Sequence, residues 1–312
     1  MTYVVITGGM GFIGRHTIIE LVKSLPAGVE VAIVDKVERA KLPSVVTLIH
    51  KDIRDREGLK EAFRDLEEID AILHLAAIVS IEEAYEKPSL TVETNVLGTL
   101  NLLELARMFD ISKFVYASSV AVYGEPKELP IREDHPLNPL NLYGLTKLMG
   151  EQLAFRYLED YGLKVISLRY FNVYGPGMKG GRYAGVIHKF ITSLLKGRRP
   201  VIYGDGSQTR DFIYVDDVVR ANLKALESKT TGPFNIGSGV ETSVLELYRY
   251  LTEIIGVKGI RPKFAPPRRG DVKRSLADIR RAGNYLGWKP RVDLKNGLAK
   301  TVAWYRSSKP TV

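Results

Sequence analysis

The chain has 312 residues, of which 45% are hydrophobic and 26% charged, with a formal net charge of +9. That length suits one large α/β unit or two modest domains with a sizeable core, and the composition is that of a globular protein rather than a disordered or fibrous one. There is no cysteine, which excludes disulfides and thiolate metal sites.

The first apolar segment, Tyr3–Thr7, reads as a strand that begins at once, leaving no room for a signal peptide. No apolar run is long enough to span a bilayer. A cytoplasmic protein without a membrane partner is therefore expected. The strand runs into Thr7-Gly8-Gly9-Met10-Gly11-Phe12-Ile13-Gly14 and then an amphipathic helix, Phe12–Leu25. A Gly-x-x-Gly-x-x-Gly loop between a strand and a helix is the setting in which such spacing cradles a dinucleotide pyrophosphate. The glycines allow a tight turn and close backbone approach, and the helix N-terminus offers N–H groups. Gly8, Gly11, Phe12, Ile13 and Gly14 are the candidates.

The second strand, Glu30–Asp35, ends on a carboxylate roughly twenty residues beyond the loop, where Asp35 can accept both ribose hydroxyls. It would repel a 2′-phosphate, which favours NAD over NADP, although Arg15, Lys36 and Arg39 add nearby positive charge. Further strands are expected at Val45–His50, Ala71–Ala76, Lys113–Ser118 and Val165–Arg169. Helices are expected at Gly58–Leu66 and Leu90–Phe109. This alternation implies a Rossmann-type doubly wound parallel sheet over residues 1–170. His74 lies within an apolar strand and reads as a satisfied core histidine. The five histidines have no metal-ligand spacing, so no metal site is expected.

Tyr143 and Lys147 stand four apart, on one face if the segment is helical. A phenol is a poor base at neutral pH, and a neighbouring ammonium lowers its pKa. Ala117-Ser118-Ser119 ends the preceding strand, and open parallel sheets carry their sites at the strands' carboxyl ends. Beyond Arg169 the rhythm breaks at Gly175-Pro176-Gly177 and Lys179-Gly180-Gly181. Later helices at Val186–Lys196, Val215–Glu227 and Val244–Gly256 mix with short extended pieces. They point to a smaller C-terminal α/β lobe, residues 171–312, with segments crossing back to the sheet. Basic residues are dispersed apart from short clusters at 196–199 and 268–269, which reads as a solvated surface rather than a nucleic-acid site.

Taken together, Thr7–Gly14, Leu75-Ala76-Ala77, Asn95, Ser118–Gly124, Tyr143–Lys147, Arg169–Pro176, Gln208–Asp217 and Arg268–Asp271 resemble the extended short-chain dehydrogenases/reductases. Within them the chain is similar to the nucleotide-sugar branch (the NAD-dependent epimerases and dehydratases), above all the UDP-galactose 4-epimerase group. The resemblance covers nearly the whole chain in order. It implies a catalytic set of Ser119, Tyr143 and Lys147, with Asp52 and Ile53 flanking the adenine and Leu75, Ala76 and Ala77 along the cofactor. Asn95, Tyr170 and Val173 would complete that pocket. It also implies that Asn172, Arg210 and Arg268 hold a diphosphate and Tyr203 stacks on the base, with Ser119, Val186 and Asp271 also on the substrate side. A dianion suits guanidinium forks and a planar base suits an aromatic face.

The family's dehydratase pattern has adjacent Asp and Glu where this chain has Val120-Ala121. The acid and base of a dehydratase are therefore missing, as is the Glu usual in a decarboxylase. The remaining tyrosine–lysine–serine set suits C4 epimerisation of UDP-glucose and UDP-galactose through transient oxidation by NAD. If Gly270-Asp271 aligns with the family motif, Ser275 falls beside the sugar C2 substituent. A small residue there would admit UDP-N-acetylglucosamine and UDP-N-acetylgalactosamine. A uronate 4-epimerase is the alternative within the fold, and a non-catalytic NAD-binding protein the alternative outside it. Related enzymes pair through helices matching Leu90–Phe109 and Asn141–Tyr161, which implies a homodimer.

Overall fold

A computed structural model describes every residue except 38–41, 179, 181–183, 268–271 and 308–312. Its strands are β1 (Thr2–Thr7), β2 (Val29–Asp35), β3 (Val46–His50), β4 (Glu68–His74), β5 (Lys113–Ser119), β6 (Lys164–Tyr170), β7 (Asn172–Tyr174), β8 (Val201–Tyr203), β9 (Thr209–Tyr214), β10 (Gly232–Ile236), β11 (Glu241–Ser243) and β12 (Lys263–Ala265). Its α-helices are α1 (Phe12–Ser24), α2 (Arg56–Arg64), α3 (Ile81–Glu86), α4 (Pro88–Val92), α5 (Gly98–Met108), α6 (Leu142–Tyr161), α7 (Val186–Leu195), α8 (Val215–Glu227), α9 (Val244–Ile255), α10 (Arg280–Leu286) and α11 (Leu294–Ser307).

Seven strands form one parallel sheet in the order β10-β6-β5-β4-β1-β2-β3. The order reverses at β1, whose neighbours are β2 and β4, and a ligand crevice opens at such a reversal, outside the strands' carboxyl ends. Alternate side chains serve opposite faces. Phe114 and Tyr116 of β5 pack with Leu102 of α5 and Ala154 of α6, whereas Val115 and Ala117 pack with Ile18 of α1 and Val218 of α8. Each fully buried apolar side chain of this size contributes about 1.5–3 kcal/mol. Two covered faces explain why the strands read as continuous apolar runs rather than alternating ones.

Residues 171–312 build a second cluster around Phe190 and Ile191 of α7, Leu247 and Leu251 of α9 and Leu298 and Val302 of α11. The small sheets β11-β9-β7 and β12-β8 accompany it. Pieces of this segment lie on the large sheet: β10 pairs with β6, α8 packs with α1 over one face, and Ala282 and Leu286 of α10 pack on that face too.

Helix ends follow from local chemistry. Asn141 caps α6 by accepting from Gly144 N at 2.9 Å, and Gly162 ends that helix at φ +72°. Ser243 caps α9 through Glu246 N at 3.1 Å. The continuous helix expected over Leu90–Phe109 is instead broken into α4, a π-helical turn at Glu93–Leu97, and α5. Such turns insert one extra residue and mark functional positions. Here the turn carries Asn95, whose amide binds two other segments.

Candidate active site

The glycine loop closes on the sheet through contacts that leave no room for side chains. Gly8 has φ +69°, and a Cβ there would lie 2.7 Å from Ala76 N. A Cβ on Gly14 would sit 2.5 Å from the Gly8 carbonyl oxygen, so its bareness lets α1 approach the loop. Gly11 precedes α1 without a side-chain cap, which leaves the first N–H groups of the helix to an anion. Beside it opens a cleft of about 280 Å³ lined by Met10, Gly11, Phe12, Arg15, His16 and Gly177. Asp35 accepts from Met10 N at 2.9 Å and from Val37 N at 3.3 Å. The carboxylate thus stands at the end of β2 and also pins the loop. Open N–H groups, an arginine and a carboxylate at the end of the neighbouring strand fit a dinucleotide's pyrophosphate and ribose.

The opposite wall begins where β4 ends. Leu75 N donates to Thr7 O at 3.1 Å, and Ala76 N to Thr7 Oγ1 at 3.2 Å. Behind them His74 is fully buried between Thr7 Oγ1 (2.7 Å) and Thr99 Oγ1 (2.9 Å). Thr99 Oγ1 donates to Asn95 O at 2.8 Å, so His74 Nε2 is the donor to Thr99 and Nδ1 accepts from Thr7. Burial, with the Lys147 charge adding to it, holds the imidazole pKa well below its ordinary value.

Asn95 Oδ1 accepts from Ile78 N at 2.8 Å, and its Nδ2 donates to Ile78 O at 2.9 Å and to Thr146 Oγ1 at 3.1 Å. The amide thus ties the wall after Ala77 to α6. Ile53 is likewise packed into the protein. Its side chain is buried against Gly98, where a Cβ would meet it at 2.7 Å, and its carbonyl accepts from Asn101 at 3.0 Å. Asp52 is paired with Arg54 at 2.8 Å, whose hydrogen bond holds the carboxyl below its usual range.

The sheet brings Ser119, Tyr143 and Lys147 together. Ser119 ends β5 and accepts from Ala121 N at 3.2 Å. Tyr143 is half-buried in the first turn of α6. Burial raises its phenol above 10, and a hydrogen bond with Ser119 pulls the other way. Lys147 is 3% exposed, with Nζ 4.3 Å from the centre of the Tyr116 ring. Burial drives its pKa to about 7, against an opposing pull from Glu151. The lowering contact belongs to Ser119, and the buried ammonium is itself disfavoured.

A charged network beneath this set was not anticipated. Glu151, one turn beyond Lys147, is 1% exposed and accepts from Arg169 Nη2 at 2.5 Å, Arg169 Nε at 3.1 Å and Ser167 Oγ at 2.8 Å. Arg169 Nη1 donates to Tyr123 OH and to Glu133 O, both at 2.8 Å, and Tyr123 OH donates to Asn235 Oδ1 at 2.6 Å. The available signal was an arginine inside an otherwise apolar strand.

On the substrate side, Asn172 opens β7, and its Oδ1 is buried without a partner among the described residues. Val173 lies beside it, and Tyr170 ends β6 with its hydroxyl donating to Asn222 Oδ1 at 2.6 Å. Val186 opens α7, and Tyr203 ends β8 partly exposed. Arg210 lies in β9 and donates to Thr209 O at 2.6 Å. Ser275 is 2% exposed, and its Oγ has no partner among the described residues. Its segment is bonded to β9 through Thr209 N and Lys273 O (3.0 Å) and to Ile131 N through Leu276 O (2.7 Å). Arg268 and Asp271 lie outside the described residues. Among the described residues there is no group of three or more potential metal ligands and no helix long and apolar enough to cross a membrane.

Comparison with known proteins places this geometry. Residues 4–237 match the model of the NAD dependent epimerase/dehydratase family. The fold superimposes on UDP-glucose 4-epimerase of Thermotoga maritima, solved with UDP-glucose, at a TM-score of 0.92, with 37% identity over 97% of this chain and 98% of that one. It is also similar to UDP-N-acetylglucosamine 4-epimerase of Methanobrevibacter ruminantium in complex with UDP-N-acetylmuramic acid (TM-score 0.90, 35% identity, 98% of each chain). A third solved relative is the Thermus thermophilus UDP-glucose 4-epimerase complex with NAD (TM-score 0.89, 36% identity, 98% of this chain and 100% of that one).

Proposed function

Because the chain belongs to the NAD dependent epimerase/dehydratase family, we propose that it is a UDP-hexose 4-epimerase acting on UDP-glucose and UDP-galactose and also on their N-acetylated counterparts. The observation that carries this reading is the short catalytic set, Ser119 at the end of β5 beside Tyr143 with Lys147 one turn on, and Val120 and Ala121 rather than carboxylates after the serine. A dehydratase needs an acid and a base for C6 and C5. A 4-epimerase needs one group that moves the proton of the C4 hydroxyl.

The chemistry that bound NAD supplies is acceptance and return of a hydride. Tyr143 takes the C4 hydroxyl proton and gives it back, and Ser119 hydrogen-bonds the same oxygen. Lys147 holds the cofactor ribose. Asp35 accepts from the adenosine ribose, and the bare Gly11 lets the pyrophosphate reach the start of α1. In residues 171–312, Asn172, Arg210 and Arg268 hold the diphosphate, so the sugar can turn over while tethered. The buried oxygens of Asn172 and Ser275, without partners among the described residues, support a polar ligand there. Leu145, Met149 and Tyr161 of α6 and Met108 of α5 are exposed apolar side chains, and they support pairing with a second copy.

The test is NMR of UDP-glucose and, separately, UDP-N-acetylglucosamine incubated with NAD-loaded protein. The C4 epimer is expected without net NADH. Tyr143→Phe is expected to lower turnover by at least about 10²–10⁴-fold with NAD retained. If neither sugar changes while UDP-glucuronate does, the substrate is a uronate. Turnover by Tyr143→Phe at the wild-type rate would remove the mechanism.

A further inference from the structure

One side chain ties the cofactor helix to the turn that leaves β7. His16, in the second turn of α1, meets Phe12 edge-on, with ring centroids 5.7 Å apart. Its Nε2 is 2.8 Å from the Pro176 carbonyl oxygen. A carbonyl only accepts, so Nε2 carries the hydrogen. Nδ1 faces Asp216 Oδ1 at 3.8 Å, in the first turn of α8.

The turn it holds is built to approach closely. Met178 N bonds back to Gly175 O at 3.3 Å, and Gly177 has φ +78°, which favours glycine. A Cβ on Gly175, at φ +154°, would lie 2.5 Å from Val215. Gly177 lines the same cleft as Gly11 and Arg15. The wall that this turn adds to the cofactor cleft therefore depends on a contact spanning 160 residues of sequence.

We propose that His16 is a positioning residue that latches the Gly175–Met178 turn against the pyrophosphate end of the NAD cleft and slows the departure of the cofactor. An enzyme with no net redox change gains from a cofactor that stays between turnovers. The latch rests on NAD occupying the cleft and is independent of which sugar is turned over.

The test compares NAD release from loaded wild-type, His16→Ala, His16→Phe and His16→Gln proteins, by rapid desalting and quantification of retained NAD over time. Melting temperature and calorimetric UDP binding are measured beside it. Ala and Phe remove the donor, Phe keeping the ring's volume. Glutamine's amide nitrogen can reach the Pro176 carbonyl. Ala and Phe are expected to release NAD roughly five- to tenfold faster, the factor that one lost hydrogen bond commands. Gln should stay near wild type, and UDP affinity should be unchanged throughout. Wild-type retention by both Ala and Phe would overturn the latch. So would Gln releasing NAD as fast as Ala, or UDP affinity falling in step with NAD retention. A wild-type protein that cannot hold NAD would overturn the cofactor reading as well.

Discussion

Arg169 and Glu151 form an ion pair almost wholly withdrawn from water, at 3% and 1% exposure, and truncating one partner tests the network sharply. Arg169→Met leaves the Glu151 carboxylate in the interior with Ser167 Oγ, at 2.8 Å, as its remaining side-chain donor. Uncompensated burial of a charge costs about 3–5 kcal/mol. The Glu133 carbonyl also loses its 2.8 Å donor, adding about 1 kcal/mol. Tyr123 OH keeps its bond to Asn235, so the damage should remain centred on the carboxylate. Glu151→Met/Arg169→Met removes both charges at similar volume and should cost far less, about 1–2 kcal/mol. Urea denaturation of the two single variants and the double variant, followed by far-UV circular dichroism, gives the coupling directly. A cost below about 1 kcal/mol for Arg169→Met, or a double variant that loses the sum of the singles, would refute the reasoning.

Burial lowers Lys147 from 10.5 to about 7, and at about 1.4 kcal/mol per unit the ammonium costs the fold up to about 5 kcal/mol. That cost is complete below the folded value and fades as pH rises from about 7 toward 10.5. Lys147→Met should therefore raise the melting temperature of NAD-free protein more near pH 6.5 than near pH 9.5; an equal gain at both would contradict the assignment. Ser275→Tyr fills a buried position and should abolish turnover of UDP-N-acetylglucosamine while sparing UDP-glucose. Equal loss on both sugars, measured as initial epimerisation rates, would remove Ser275 from sugar selection.

Six of the seven strands of the large sheet were legible because their interiors are mostly apolar, as those of strands covered on both faces must be, whereas the short β10 (Gly232–Ile236) was not expected. The glycine loop was legible because its spacing answers to backbone geometry that side chains cannot imitate. The helix α11 was not, since its buried face is made of Gly297, Leu298, Thr301 and Val302, a stripe too small and polar to announce itself. α3 has only six residues, five of them Ala, Ile or Glu in a surface-like pattern. The roles of Asn95 and Glu151 depend on partners that only packing supplies: Ile78 and Thr146 for one, Arg169 and Ser167 for the other. A local motif can mark such a residue as polar and placed near a site. It cannot say whether its hydrogen bonds go to a ligand or to the protein. The Tyr143–Lys147 spacing correctly placed both on one helix, but the burial around them is not carried by the spacing.

The pairing of β10 with β6 has a consequence for how this chain can be divided. Every residue of β6 after Lys164 is buried, and its outer backbone groups from Ile166 to Tyr170 are matched by Gly232–Ile236. A fragment ending near residue 170 would expose that apolar strand as a raw edge, open to pairing with any other chain. The nucleotide-binding half is thus not an autonomous piece to be expressed or transplanted alone. A backbone cleaved between β7 and α8 would instead leave two fragments stitched to each other through a shared sheet, separable only by unfolding both.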